Sequence, residues 1–413
     1  MARTTTLAGS RAGGGGKATG FLGALIVMAA VLVPGAAEAA SPAAWVNAFW
    51  PTAKAAGITR ATYDRALGNF VPDPDVLKKA ASQAEFNLKI WNYLDQMVSD
   101  ERVAEGRAVL VRYGGVLAPI EARYGVDRAV LVAIWGMESH YGSVLARPSL
   151  VKGTIRSLAT LAYSGGRLAK FGRQQLVAAL KIVQRGDVAP EAMTGSWAGA
   201  MGHTQFIPTT FEAYGVDFDG DGRRNVWTSP ADALASAANY LKASGWRSGE
   251  TWGYEVTVPG GVNAGGERSL AAWSKLGVRR AGGRAFPRPA DKATLYRPAG
   301  DDGPSFLLLK NFTVIKRYNN SNSYALAIGS LSDRLKGQGP FVQDWPAHEQ
   351  PLSQDEREKV QLLLTMLGLY SGDIDGDIGS GSREAIREYQ RSVGLTADGL
   401  ASRALLRRLD GGG

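Results

Sequence analysis

Ala129-Val130-Leu131-Val132-Ala133-Ile134-Trp135-Gly136-Met137-Glu138-Ser139-His140-Tyr141-Gly142 is the stretch on which the fold turns. Its first nine residues are too apolar for a solvated helix face and predict a buried helix. Asp127, after Tyr124-Gly125-Val126, is placed to cap that helix. Glu138 closes the run. Burial disfavours the charged form of a carboxylate. Glu138 is therefore either paired with a cation or kept protonated near neutral pH, ready to act as an acid. A structural Glu, bonded to backbone or to an arginine, fits the same pattern.

Around this run, residues 41 to about 250 read as helices with short breaks. Helical periodicity covers Thr59 to Leu67, Leu77 to Val98 and Glu101 to Tyr113. It resumes at Leu158 to Ala162, at Gln174 to Gln184 and at Pro230 to Ala243, where Ser229 is placed as N-cap. The texture changes between Glu255 and Lys316. Val256 to Val258, Ala293 to Tyr296 and Ser305 to Leu309 are strand candidates among glycines and arginines. Tyr324 to Leu335 returns to helix. Residues 337–352 read as a linker by composition. A unit of about sixty residues follows. Ser353 can cap Glu356 to Leu367. Asp375-Gly376 and Asp398-Gly399 each make a turn before a further helix, Arg383 to Val393 and Ser402 to Leu409, which hints at an internal half-repeat. The expected fold class is mainly α (α+β): a helical core with a small β-containing subdomain at about 255–316, plus a small three-helix C-terminal domain at 353–411.

The first 39 residues have a different character. Arg3, Arg11 and Lys17 precede an uncharged apolar run of 13 residues, Phe21 to Val33, and then Ala37-Glu38-Ala39. That is the layout of an export signal, and the apolar run is short for a membrane span. The mature chain is expected to begin near Ala40, outside the cytoplasm. Of the net +9, the leader accounts for +2, leaving about +7 for the remainder. A basic exported protein suits an acidic extracytoplasmic polymer, and scattered Lys/Arg with export argue against nucleic acid. With no cysteine, disulfides, thiolate chemistry and a lipid-modified N-terminal Cys are excluded. The three histidines, His140, His203 and His348, share no metal-ligand spacing, which speaks against a zinc hydrolase.

Two further motifs carry chemistry. Gly195-Ser196-Trp197-Ala198-Gly199-Ala200-Met201-Gly202-His203-Thr204-Gln205-Phe206-Ile207-Pro208 combines three glycines with hydroxyl, amide and aromatic groups. Gly lets backbone approach a ligand closely, and Ser and Gln offer neutral hydrogen bonds suited to sugars. Asp217-Phe218-Asp219-Gly220-Asp221-Gly222 is the front half of an EF-hand calcium loop. The back half departs from that pattern, with Arg224 at position 8 and Thr228 at position 12, although Asp232 is available to close a longer loop. An Asp-Gly turn without an ion fits the same residues. A third, polar cluster runs from Arg317-Tyr318-Asn319 to Tyr324.

Together, Ile134 to Gly142, the Ser196 to Pro208 loop, the Asp217 loop, Asn239-Tyr240 and Arg317-Tyr318-Asn319 with Tyr324 resemble the B-type lytic murein transglycosylases, in the family's order and spacing, over roughly Trp45 to Leu335. The C-terminal unit resembles the helical peptidoglycan-binding domain through Asp375-Gly376, Gly379, Ser382, Ala385-Ile386 and Tyr389-Gln390. The resemblance implies a lysozyme-like catalytic domain over 40–336. It also implies cleavage of the β-1,4 bond between N-acetylmuramic acid and N-acetylglucosamine, leaving a 1,6-anhydromuramic end. Glu138 would be the acid/base. Ser196, Met201 and Gln205 would line the subsites, and Tyr240, Asn319 and Tyr324 would hold the substrate. No cofactor is required for the chemistry. A structural calcium would sit on Asp217, Asp219, Asp221, the Arg223 carbonyl and Asp232. This chain departs from the family in lacking the lipoprotein Cys, and its ion loop is one residue longer between Trp227 and Asp232.

Ordinary glycosidases use two carboxylates, whereas here a single candidate stands in an apolar setting. One carboxyl suffices if the muramic 6-hydroxyl is the nucleophile. The expected protein is a periplasmic monomer acting on peptidoglycan strands, with no transmembrane segment once the leader is removed. The rival readings are a hydrolytic muramidase, which an acid facing Glu138 would favour, and a non-catalytic peptidoglycan-binding protein.

Overall fold

The computed structural model describes residues 41–81, 89–262, 265–300, 303–346, 352–395, 397 and 399–411. The leader-like residues 1–39, His348 and Asp398 lie outside them. Short polar side chains start most of the helices. Ser99, Asp127, Ser229, Ser321 and Ser402 each accept a backbone N–H of the first turn, and Ser353 forms a full capping box with Glu356.

The apolar run folds as the helix Arg128–Ser139, with every residue from Ala129 to Gly136 buried. Each large aliphatic among them contributes about 1.5–3 kcal/mol on burial. It packs against Asn322–Leu335, Asp100–Arg112 and Pro230–Ala243 to form the first core. A second core joins the N-terminal helices Pro42–Ala55 and Arg60–Leu67 to Thr154–Tyr163 and Ala169–Arg185. Tyr240 and Tyr318 pack against both cores, so the two helical lobes meet there. The periodicity read over Leu77 to Val98 resolves into two helices, Pro74–Ala81 and Ile90–Met97, on either side of residues outside the description.

Among the described residues there are seven short strands, in chain order β1 (Lys152–Gly153), β2 (Thr194–Gly195), β3 (Gly253–Thr257), β4 (Glu267–Ser269), β5 (Arg279–Arg280), β6 (Lys292–Tyr296) and β7 (Ser305–Leu308). The first two pair with each other beside the Ser196 loop. The rest form an antiparallel sheet in the order β4-β6-β7-β3-β5, with Gly253 opposite Leu308 and Thr294 opposite Leu308 on its other side. Trp273, on the covering helix Leu270–Lys275, is fully buried and donates to the Ala293 carbonyl at 2.9 Å. β4 and β5 were not among the strand candidates because two or three polar residues carry no alternation to read.

The start of the 337–352 segment is fastened down rather than slack. Val342 and Gln343 donate their backbone N–H groups to the two oxygens of Glu255, both at 2.8 Å, and Phe341 lies 4.9 Å from the Phe306 ring. Glycine and proline suggest a linker, yet two aromatics, Phe341 and Trp345, anchor it to the sheet.

The C-terminal unit has three helices, Gln354–Met366, Ser380–Ser392 and Arg403–Leu409, around a small core of its own. Buried Gln361 accepts from the N–H groups of Asp375 and Gly376 and donates to Asp375. Buried Gln390 accepts from Gly399. The two turns are thus tied down by a glutamine in the same way, which supports the half-repeat.

Candidate active site

Glu138 occupies the last turn of the buried helix, next to Ser139. The helix ends on two residues in the left-handed region, His140 (φ 51) and Tyr141 (φ 54), and then Gly142 (φ 89). Non-glycine residues there cost on the order of 1–3 kcal/mol each. Several bonds hold the turn. The Tyr141 hydroxyl donates to the Arg102 carbonyl at 2.8 Å, and Ser139 Oγ donates to the His203 carbonyl at 2.6 Å. Gly136 leaves room for the Tyr141 ring, since a Cβ there would lie 2.6 Å from it.

Glu138 is half-buried as a residue, and its carboxyl is enclosed by protein. Oε1 accepts a 2.6 Å hydrogen bond from the buried Tyr324 hydroxyl. Burial raises the carboxyl to about 7, and the Tyr324 bond opposes that rise. Of the two states open from sequence, the structure favours the protonated one, because among the described residues no cation pairs with Glu138 and no second carboxylate bears on it. Two phenols that the sequence reading left without a role respond to its charge. Tyr93 is pushed up to about 12, mainly by burial and then by Glu138, and Tyr318 is raised for the same two reasons.

The Ser196 loop is tied to the end of the Glu138 helix through His203, whose carbonyl accepts from Ser139 Oγ. His203 joins the lobes: its Nδ1 accepts from Trp135 Nε1 at 3.1 Å, and burial lowers the imidazole to about 4, so it stays neutral. Tyr318 donates to the Thr204 carbonyl at 2.7 Å. The partly exposed Ser196 Oγ accepts from Ala200 N at 3.1 Å and keeps a hydroxyl proton to donate. Gln205, at φ 49, donates Nε2 to the Gly202 carbonyl at 2.8 Å. Met201 has 0% exposure and sits in the second core, so its place is packing rather than a subsite wall. The glycines also differ from the expectation of ligand approach. Side chains at Gly199 and Gly202 would collide with Leu158 and with the Val226 carbonyl, so these glycines serve the loop's own packing.

On the remaining side, Tyr240 packs among Phe206, Tyr214 and Tyr318 and donates to the Arg317 carbonyl at 2.5 Å. Asn319 is exposed in extended backbone (φ −143) after the helix Lys310–Tyr318. Of the residues singled out from sequence, direct hydrogen bonds join Tyr324 to Glu138 and Tyr240 to the Arg317 carbonyl, two residues before Asn319.

The Asp217 loop is on the surface, with Asp219 and Asp221 exposed. Carboxylate oxygens of Asp217, Asp219 and Asp221 lie within 4.8 Å of one another. Asp217 accepts from the N–H groups of Gly220 and Gly222, and Asp221 from Arg223 N. Asp232 stands apart from this group. It is fully buried, with Oδ1 accepting from Phe218 and Asp219 and Oδ2 from Asn225, so it ties the two ends of the loop together.

A lone carboxyl that titrates near neutrality can give a proton and take it back without a partner acid. A helix-rich scaffold with a small sheet, carrying such a carboxyl at the end of its buried helix, fits the lysozyme-like fold class. Residues 41–333 match the Transglycosylase SLT domain and residues 353–409 a peptidoglycan binding domain. The chain belongs to the SLT transglycosylase family. It is 32% identical to membrane-bound lytic murein transglycosylase B of Escherichia coli (strain K12) over 248 residues, 59% of this chain and 66% of that protein. SltB3 from Pseudomonas aeruginosa, solved with NAG-NAM-pentapeptide, is 48% identical, with a TM-score of 0.70 covering 88% of this chain and 98% of that one. The Escherichia coli lytic transglycosylase Slt35, solved in complex with calcium, is 28% identical, with a TM-score of 0.60 covering 70% and 92%. Among the described residues, no helix is long and apolar enough to cross a membrane.

Proposed function

We propose that this chain is a lytic transglycosylase that cleaves the β-1,4 bond between N-acetylmuramic acid and N-acetylglucosamine in peptidoglycan and leaves 1,6-anhydromuramic ends. The observation that carries the reading is the isolation of Glu138: raised to about 7 by burial, with no second acid bearing on it among the described residues. Protonated Glu138 donates to the leaving glycosidic oxygen as the C1–O bond breaks. The substrate's acetamido oxygen and the dipoles of Ser196, Tyr240 and Asn319 stabilise the cation-like C1. Glu138, now a carboxylate, takes the proton of the muramic 6-hydroxyl as that oxygen bonds to C1. The carboxyl ends protonated as it began, and no water is consumed. Intramolecular attack gains from effective molarity, so the absence of a second carboxylate costs nothing.

Calcium fits the Asp217 loop. Three clustered carboxylates and turn carbonyls suit a hard cation. Asp217, Asp219 and Asp221 would hold it with the Arg223 carbonyl, and Asp232 would act through the backbone it fastens. The ion would stabilise the loop and take no part in the chemistry. The leader-like composition of residues 1–39 supports export to the periplasm. Mass spectrometry of fragments released from purified sacculi tests the activity. Anhydro ends, one water lighter than reducing ends, are expected. Reducing ends would replace this reading with a hydrolytic muramidase, and no soluble fragments at all would favour a binding protein.

A further inference from the structure

A recess of about 650 Å³ is lined by residues of β4, β6, β7, the helix Lys310–Tyr318 and the segment after it. Lys310, Lys316, Arg317, Asn320, Asn322 and Glu267 line it. Its one acid, Glu267, faces Lys292 at 4.0 Å. Among the described residues no ion pair takes up Lys310, Lys316 or Arg317, so the recess presents three cations beside amide side chains. It shares a wall with the cleft: Arg317 gives its carbonyl to Tyr240, and Asn322 opens the helix that carries Tyr324 to Glu138.

We propose that this recess is the docking site for the peptide stem of the substrate, with Lys310, Lys316 and Arg317 receiving the stem's carboxylates. The assignment rests on the reading above and deepens it, because the stem is attached to the muramic residue whose C1 is cut. The Arg317–Asn322 segment connects the two places, since Arg317 and Asn322 line the recess and Tyr324, two residues further on, is bonded to Glu138. Neutral Ser196, Gln205 and Asn319 suit a sugar, whereas a peptide bearing several free carboxylates needs cations, which this recess supplies next to exposed Asn320. The enzyme would accordingly prefer strands that still carry peptides over bare glycan.

The test compares wild type with Lys316→Glu on peptide-bearing strands and on the same strands stripped of peptide. Lys316→Glu is expected to lower kcat/KM about 10-fold on the peptide-bearing strands, mainly through KM, and to change the bare strands less than about twofold. Unchanged turnover of bare strands also shows that the variant is folded. Equal loss on both substrates, or no loss on either, overturns the assignment. Binding to Glu138→Gln separates this proposal from the activity. A disaccharide-pentapeptide should bind about 10-fold more tightly than the bare disaccharide, and adding Lys316→Glu should erase that advantage. A chain that shows this binding yet releases no anhydro product keeps the recess assignment and loses the proposed reaction. Equal affinity for the two ligands overturns the recess whatever the activity.

Discussion

The buried hydroxyl of Tyr324 donates to Glu138 Oε1 at 2.6 Å, from a helix that begins 183 residues later in the chain (139 to 322). This bond favours the charged carboxylate while burial favours the acid, and burial wins. The group is left near the pH at which it must both donate and accept. Its phenol is itself pushed well above its ordinary value by burial and by the Glu138 charge, so it stays a donor throughout the cycle.

Tyr324→Phe removes that donor with little change in shape. The carboxyl should then rise further above about 7, because a bond to its charged form is lost. Activity that begins with protonated Glu138 falls as pH rises through its pKa, so the falling limb of kcat/KM against pH should move upward by about one unit. Turnover should drop about 10-fold, since the carboxylate formed in the first step loses a charge-assisted bond. A limb that stays in place, or moves down, would mean that Glu138 is not the titrating group.

Glu138→Gln should lose activity by about 10²–10⁴-fold. It should also gain stability in a pH-dependent way. With the folded carboxyl at about 7 against an ordinary 4.5, the folded state holds a proton that the unfolded chain releases between those values. Stability therefore falls as pH rises across this window, by about 3 kcal/mol at most, and less where the cleft admits water. Gln carries no such cost. Denaturant melts should show the variant more stable than wild type at pH 8 and equal to it at pH 4. A wild type that is the more stable at pH 8 would contradict a desolvated Glu138.

Much of this site was legible because its signals are local. An acid at the end of an uninterrupted apolar run states its own burial, and Ser229 or Asp127 before a helix states its cap. What the sequence withheld depends on distant partners. Tyr93 and Tyr318 are ordinary aromatics until the fold sets them around Glu138. His203 looks like a spare imidazole until Trp135 donates to it. The glycines of the Ser196 loop misled for the same reason: the Val226 carbonyl that makes Gly202 necessary lies on another segment. For Asp232, spacing offered a carboxylate to close the ion loop, but it could not show the three backbone N–H groups that the side chain also fastens.

Calcium should stabilise the chain without being needed for the chemistry. At about 100 times its dissociation constant, an ion bound only by the folded state adds about 2.7 kcal/mol. That corresponds to several degrees in Tm for a domain of this size. Adding calcium after chelation should raise the Tm of wild type and leave Asp217→Ala unmoved, while residual activity of the variant at low temperature stays within a few-fold. Asp232→Ala should behave differently. It strands three N–H groups in a buried place and should lower the Tm even without calcium. If Asp232→Ala costs nothing in the chelated protein, Asp232 is an ion ligand rather than a backbone anchor.

Ser139→Ala tests whether the turn after Glu138 is held by the facing lobe. Ser139 Oγ donates to the His203 carbonyl at 2.6 Å and accepts from Gly142 N at 3.1 Å, so it joins the strained turn to the Ser196 loop. Removing the hydroxyl leaves the half-buried His203 carbonyl short of a partner, at a cost of about 1–3 kcal/mol, while Gly142 N keeps its bond to the Ser139 carbonyl at 3.0 Å. The cost should also appear in catalysis, because left-handed His140 and Tyr141 relax once the tie is gone and Glu138 moves with them. A fall of about 10-fold in kcat is expected, with the pH limb near 7 unshifted, since Ser139 plays no part in setting the carboxyl's burial or its bond to Tyr324. A loss of stability with full turnover would show that the left-handed turn holds itself and that Ser139 contributes only to the fold.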